Sequence, residues 1–253
     1  MKTALVGDIG GTNARFALWR DQRIEQIRVI PTADHARPEL AILAYLSEVD
    51  QPLKALEAVC LACAGPVGGD LFRFTNNHWQ LSREAFCREL GVKELLLIND
   101  FTAMALGMTR LHDGERITVC DGEPEPGRPR LVIGPGTGLG VAGLLPLSGG
   151  GWRALPGEGG HICLPVGSER EAAIWAHLHR SLGHVNAEAV LSGPGLLTLY
   201  RACCALDGQQ VAFDSPAAIT KAALAGDTYA LAVLEQFCRW LGRIVGDNVL
   251  TLG

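Results

Sequence analysis

Two glycine loops are the first residues in this chain whose types and spacing could do chemistry. Gly7-Asp8-Ile9-Gly10-Gly11-Thr12-Asn13 lies near the N-terminus, and Gly134-Pro135-Gly136-Thr137-Gly138-Leu139-Gly140 lies near the middle. Glycine has no Cβ, so backbone N–H groups can approach phosphate oxygens, and Thr12 and Thr137 add hydroxyl donors. Each loop falls between two strand-like runs. That excludes the P-loop, which needs Gly-Lys-Ser/Thr opening a helix, and the dinucleotide fingerprint, which needs strand, turn and helix. A hairpin turn explains either loop singly. Two such loops, each with a threonine, favour phosphate binding.

Acids stand beside these loops. Asp8 ends an apolar run, where it serves either an Asx-type turn or as a carboxylate holding Mg²⁺ against phosphates, directly or through water. Asp100 follows Asn99 at the end of another apolar run, the position at which ligands meet the sheet in α/β folds. It could equally cap the helix that follows. Leu155-Pro156-Gly157-Glu158-Gly159-Gly160-His161 presents Glu158 and His161 on a glycine-hinged loop. The two adjacent glycines argue against a helical Glu-x-x-His metal motif. Hydrogen bonding to a polyol suits the pair better, with a core histidine after a turn as the alternative. Glu188 taken alone reads as an acid in the first turn of a helix. Cys60 and Cys63 have Cys-x-x-Cys spacing, but they sit in an apolar run with no second pair, which predicts a buried strand and not a zinc or redox site.

The elements that must position these residues follow from periodicity and punctuation. Strands are predicted over 2–7, 15–20, 24–31, 57–64 and 94–98, with helices over 38–49, 82–90 and 101–111. Ser82 is placed to cap its helix and Gly91 to stop it. Residues 113–129, rich in proline, glycine and acid, read as a loop around one short strand at 116–120, and the domain boundary is set at its start, giving 1–111 and 112–253. Strands at 130–134, 140–145 and near Trp152 then lead to helices at 169–182, 195–206, 216–225 and 227–252. The outline is mixed α/β.

Composition narrows the partners. A net charge of −5 over 253 residues offers no basic stripe for nucleic acid. The charge-free stretch 131–152 contains eight glycines and two prolines, which rules out a lipid-exposed span. Asp8 interrupts the first apolar run too early for a signal peptide, so the eight cysteines are expected as reduced thiols in a cytoplasmic protein.

Taken in order, these segments resemble the bacterial glucokinases of the proteobacterial type, within the hexokinase, Hsp70 and actin fold group. The residues that carry the resemblance are Val6-Gly7-Asp8-Ile9-Gly10-Gly11-Thr12-Asn13-Ala14-Arg15, Thr75-Asn76-Asn77-His78-Trp79, Ile98-Asn99-Asp100-Phe101-Thr102-Ala103, Gly136-Thr137-Gly138-Leu139-Gly140, residues 155–161, and Leu191-Ser192-Gly193-Pro194-Gly195-Leu196 with Tyr200-Arg201. The resemblance implies a two-domain, actin-like (ribonuclease H-like) ATPase fold closing over a cleft. It also implies ATP-dependent phosphorylation of D-glucose to glucose 6-phosphate. Gly7, Asp8, Ile9, Gly10, Gly11 and Thr12 would take the phosphates of ATP with Mg²⁺ near Asp8. Gly136, Thr137 and Gly138 would clasp them from the other domain. Asn99, Asp100, Glu158, His161 and Glu188 would bind the sugar, with Asp100 the general base for the 6-hydroxyl. A homodimer is the implied assembly. No zinc is expected, because only Cys163 follows the Glu-x-x-His in place of the Cys-rich motif of the zinc-containing branch. Family members continue past the Asn248–Leu252 region into a further glycine motif and closing helices, so a missing C-terminal part, with uncovered apolar faces, is expected. A sugar-binding or regulatory relative without catalysis is the alternative, and glucose-dependent ADP release separates the two.

Overall fold

The computed structural model describes residues 3–65, 67–75, 77–112, 114–123 and 125–252. Lys2, Asn76 and Gly253, included in the predicted elements and motifs above, lie outside these, as do positions 66, 113 and 124. The chain divides into two compact units, 1–104 and 105–253. Their division falls inside the helix that follows Asn99, ahead of the expected position at 111.

In the first unit five strands form one sheet. These are β1 (Thr3–Ile9), β2 (Asn13–Arg20), β3 (Arg23–Pro31), β4 (Leu56–Cys63) and the strand Glu94–Asn99, which is β7. The order is β3-β2-β1-β4-β7, antiparallel through β3, β2 and β1 and parallel from β1 through β4 to β7. The strand alternation sends Leu5, Phe16, Leu18, Val59, Leu61 and Leu97 into one core. Ile42 and Tyr45 of helix α1 (Pro38–Glu48) and Phe86 and Leu90 of helix α2 (Arg83–Leu90) join them there. Alternate residues of the same strands form a second face, where Val6 pairs with Cys60 and Cys60 with Leu96 in one row. Val6 and Cys60 on that face are half-buried and Leu96 is exposed.

Ser82 accepts from Ala85 N–H and Gly91, at φ 62°, ends α2, so the cap and the stop both stand where the sequence put them. A short hairpin, β5 (Leu71–Arg73) and β6 (Gln80–Ser82), has no counterpart in the sequence reading. Each arm buries one apolar side chain, Phe72 and Leu81, too few to register as alternation. Helix α3 (Asp100–Met108) follows β7 directly.

The second unit has an antiparallel sheet in the order β10-β9-β8, from β8 (Arg130–Pro135), β9 (Leu139–Pro146) and β10 (Trp152–Gly157). Among the described residues the sheet is joined by the helices α4 (Glu169–Leu182), α5 (Gly193–Asp207), α6 (Pro216–Leu224) and α7 (Thr228–Leu252). Leu139 and Val141 from the sheet share a core with Ile174, Leu199, Tyr200, Trp240 and Ile244 from the helices. The strand predicted at 116–120 does not form among the described residues. Ile117 and Val119 are each 91% exposed, and with no neighbouring strand their backbone groups have no ladder to join. Among the described residues no single helix is long and apolar enough to cross a membrane.

Candidate active site

In the first unit the parallel pairing sets the geometry. Cys63 is level with Ile9 of β1 on one side and with Asn99 of β7 on the other. The first glycine loop and the Asn99-Asp100 pair therefore emerge from the same end of one sheet, two strand spacings or about 10 Å apart. The Cys63 thiol is buried, and burial is the main reason its pKa is pushed up to about 12, followed by the field of Asp100 and, more weakly, of Cys60 and Asp8. One thiol thus feels both carboxylates.

The strand does not end at Asp8, as the sequence suggested. It runs on to Ile9, because Asp8 faces Arg15 across the ladder and their side chains pair at 3.1 Å. The turn proper is Gly10–Thr12. Its carbonyls are held by Asn77 and Thr32. Asn77 Nδ2 donates to Gly10 O at 3.0 Å, Thr32 Oγ1 to Gly11 O at 2.9 Å, and Thr32 N to Thr12 O at 2.9 Å. With three carbonyls occupied in this way, the loop presents few acceptors that would repel a phosphate. Gly7 has a different reason for being glycine. A Cβ there would stand 2.9 Å from Leu61 Cδ2 and from Phe16 Cδ1, so its small size serves core packing inside β1.

The alternative role for Asp100 as a helix cap is corrected. Asn99 does the capping: its Oδ1 accepts from Thr102 N–H at 3.0 Å. Because a backbone N–H can only donate, this contact fixes the amide and leaves Nδ2 as a free-facing donor. Asp100 is the first residue of α3, exposed, with Oδ1 accepting from Phe101 N–H at 2.7 Å. The partial positive charge of the helix start favours a carboxylate there.

In the second unit, residues 185–195 strap together the second glycine loop and the Glu158–His161 loop. Gly193 N donates to Gly136 O at 2.8 Å, and Gly136 N to Gly138 O at 2.7 Å, which tightens the hairpin end and leaves Thr137 exposed at its tip. Glu188 is half-buried. Its Oε2 accepts from Leu139 N–H at 2.8 Å, and its own N–H donates to Gly160 O at 2.9 Å. One of its two carboxylate oxygens is therefore tied to the glycine loop, and the other, Oε1, is the one better placed to accept from a ligand. A Cβ on Gly138 would overlap Glu188 Oε2.

Glu158 precedes and His161 ends a short 3₁₀ turn, Gly159–His161, with His161 Nε2 and Glu158 Oε2 4.0 Å apart and both side chains largely exposed. The exposure removes the core-histidine reading. A Cβ on Gly160 would overlap the carbonyl of Leu139, backbone against backbone. Gly160→Ala is expected to destabilise the second unit by about 1–3 kcal/mol in urea unfolding. An unchanged midpoint would mean that the turn gives way freely.

The structure thus gathers Asp8, Gly10, Gly11, Thr12, Asn99 and Asp100 in one unit, and Gly136, Thr137, Gly138, Glu158, His161 and Glu188 in the other. Thr32 and Asn186 were not found from the sequence. Each acts by a hydrogen bond to a residue 20 or more positions away, Thr32 to Gly11 and Asn186 to His161, which spacing does not encode.

A glucokinase family model matches residues 5–253. A glucokinase of Pseudomonas paraeruginosa is 56% identical over 250 residues, covering 99% of this chain and 74% of the relative. The crystal structure of glucokinase from an Antarctic psychrotroph superposes with a TM-score of 0.87 at 35% identity, over the whole of this chain and 80% of that one. The glucokinase of Balamuthia mandrillaris, solved in complex with glucose, shares the fold with a TM-score of 0.73 at 24% identity, over 99% and 77%. Both glycine loops, the Asn99-Asp100 pair and the Glu158–His161 turn lie inside the matched span, and the chain belongs to the glucokinase family.

Proposed function

We propose that this chain transfers the terminal phosphoryl group of ATP to the 6-hydroxyl of D-glucose, with Asp100 as general base. The observation that carries this reading is the common row Ile9–Cys63–Asn99, which brings a glycine loop and an exposed, helix-started aspartate to one end of a single sheet. The same strand order, β3-β2-β1-β4-β7, supports an actin-like architecture for the unit.

Phosphoryl transfer asks the protein mainly for positioning and charge. Each glycine turn, Gly10–Thr12 in the first unit and Gly136–Gly138 in the second, offers backbone N–H groups and a threonine hydroxyl to phosphate. In the second unit Glu158, His161 and Glu188 offer donors and acceptors for sugar hydroxyls, and in the first unit Asn99 Nδ2 offers a donor. A sugar lacking one of those hydroxyls would leave such a group unpaired, which is the source of selectivity. The Asp100 carboxylate accepts the 6-hydroxyl proton as that oxygen attacks phosphorus.

Asp8 suits Mg²⁺. That ion is commonly held by one or two carboxylates, substrate phosphates and water, and Asp8 is a single, half-exposed carboxylate beside the loop. Its pairing with Arg15 is on the surface and costs little to exchange. When bound, Mg²⁺ would neutralise charge on the phosphates. A homodimer in the cytoplasm completes the proposal on the strength of the sequence resemblance, with light scattering and fractionation as its checks.

The test is a coupled assay of the purified chain with glucose and Mg-ATP. Glucose-dependent ADP formation with stoichiometric glucose 6-phosphate is expected. Glucose binding without turnover would replace this reading with that of a sugar-binding relative.

A further inference from the structure

We propose that Asn186 is the positioning residue that holds His161 in one tautomer, with the proton on Nε2. The argument starts at a backbone group. Ala189 N–H can only donate, and it points at Asn186 Oδ1 at 2.9 Å. The amide orientation is therefore fixed, and Nδ2, which carries two protons and no lone pair, is the atom facing His161 Nδ1 at 3.2 Å. For that contact to be a hydrogen bond, Nδ1 must accept. The imidazole proton then sits on Nε2, the nitrogen on the side of Glu158. This makes His161 Nε2–H a donor and the Glu158 carboxylate an acceptor, 4.0 Å apart, a complementary pair for adjacent hydroxyls of a polyol.

The backbone gives the contact its rigidity. Cys163 and Asn186 form a β-bridge. Leu164 N donates to Val185 O at 3.1 Å and Ala187 N to Ile162 O at 2.9 Å, so the two segments run as a short ladder. Glu188 N reaches Gly160 O on the next step. The ladder holds the two backbones opposite each other and the Ala189 N–H bond holds the Asn186 side chain, so a proton on Nδ1 of His161 would cost the contact with Asn186. The kinetic consequence rests on the glucokinase reading above; the tautomer itself does not.

Three measurements test the proposal. In protein labelled with ¹⁵N-histidine, with His161 assigned by comparison with His161→Gln, Nδ1 is expected at the unprotonated and Nε2 at the protonated position. Asn186→Asp keeps an acceptor for Ala189 N–H but turns a second acceptor toward Nδ1, so a proton is expected to appear on Nδ1. Asn186→Ser keeps a short cap on Ala189 and cannot span to His161, so the two ring nitrogens should average. In steady-state kinetics both variants are expected to raise the KM for glucose about tenfold, with the KM for ATP within about twofold of the parent. A proton found on Nδ1 in the parent, or a tautomer unmoved in Asn186→Asp, overturns the proposal. If the parent shows the Nε2–H tautomer but no glucose-dependent ADP, the glucokinase reading of this chain fails and the assignment of Asn186 stands.

Discussion

Asp100→Ala is expected to lower kcat for glucose phosphorylation by about 10²–10⁴-fold, the usual span for loss of a general base, with a much smaller change in glucose affinity. The structure makes this substitution unusually clean. The helix cap is on Asn99, whose Oδ1 holds Thr102 N–H, so removing the Asp100 carboxylate leaves the start of α3 and the end of β7 in place. An exposed first-turn acid contributes only a few tenths of a kcal/mol through the helix dipole. Stability should therefore stay within about 0.5 kcal/mol of the parent. Asn99→Ala provides the contrast, because it removes the cap and costs about 1 kcal/mol. Single-turnover rates with saturating glucose, paired with calorimetric glucose binding, read the two effects separately. Turnover in Asp100→Ala within a few-fold of the parent would remove Asp100 from the chemistry.

Arg243→Ala is expected to be among the most destabilising single changes in the second unit, at about 3 kcal/mol. Glu171 is only 2% exposed, and its Oε2 receives both Arg243 Nη1 at 2.5 Å and Gly167 N–H at 2.7 Å. Its Oε1 receives Gln236 Nε2 at 3.1 Å. Burial by itself would raise the carboxyl pKa, but Arg243, the Gly167 N–H and Gln236 together outweigh it and hold the pKa below the ordinary carboxylate value. A depressed folded-state pKa means that the stabilisation is present above the unfolded value of about 4.5 and is lost as pH falls through the folded one. Removing Arg243 leaves the buried carboxylate with two neutral donors and no counter-charge, so the variant should lose stability at neutral pH and converge on the parent under acid conditions. Urea unfolding at pH 7 and near pH 3 tests this. A parallel offset at both values would show that Arg243 contributes packing of its alkyl stem and not charge.

Much of the fold was legible because local rules and burial agreed. The runs that became β1, β4 and β7 are apolar and bounded by turn residues, and Ser82 with Gly91 marks both ends of α2. The glycine loops were legible for the same reason, since each sits at a strand end where a sharp turn is needed. The short hairpin β5–β6 was not, because three-residue arms show no period. Ile117 and Val119 misled in the other direction, having strand propensity but no neighbour to pair with. Ser168 and Glu171 have capping-box spacing, and Ser168 does accept from Glu171 N–H. Nothing in spacing, however, joins Glu171 to Arg243, 72 residues further on.

What the sequence determined by itself was the inventory: which residues end strands, which turns tolerate close backbone approach, and which acids, amides and histidine stand there. It left each of them with two roles. Asp100 could be cap or base, His161 core or ligand, and Glu188 a first-turn acid or a sugar contact. The tertiary structure narrowed those roles by deciding which donors and acceptors the fold itself uses. Asn99 took the cap from Asp100, Leu139 N–H took one oxygen of Glu188, and Asn186 took Nδ1 of His161. A polar side chain has few donors and acceptors, and those that remain after the fold has used its share define what a ligand can meet.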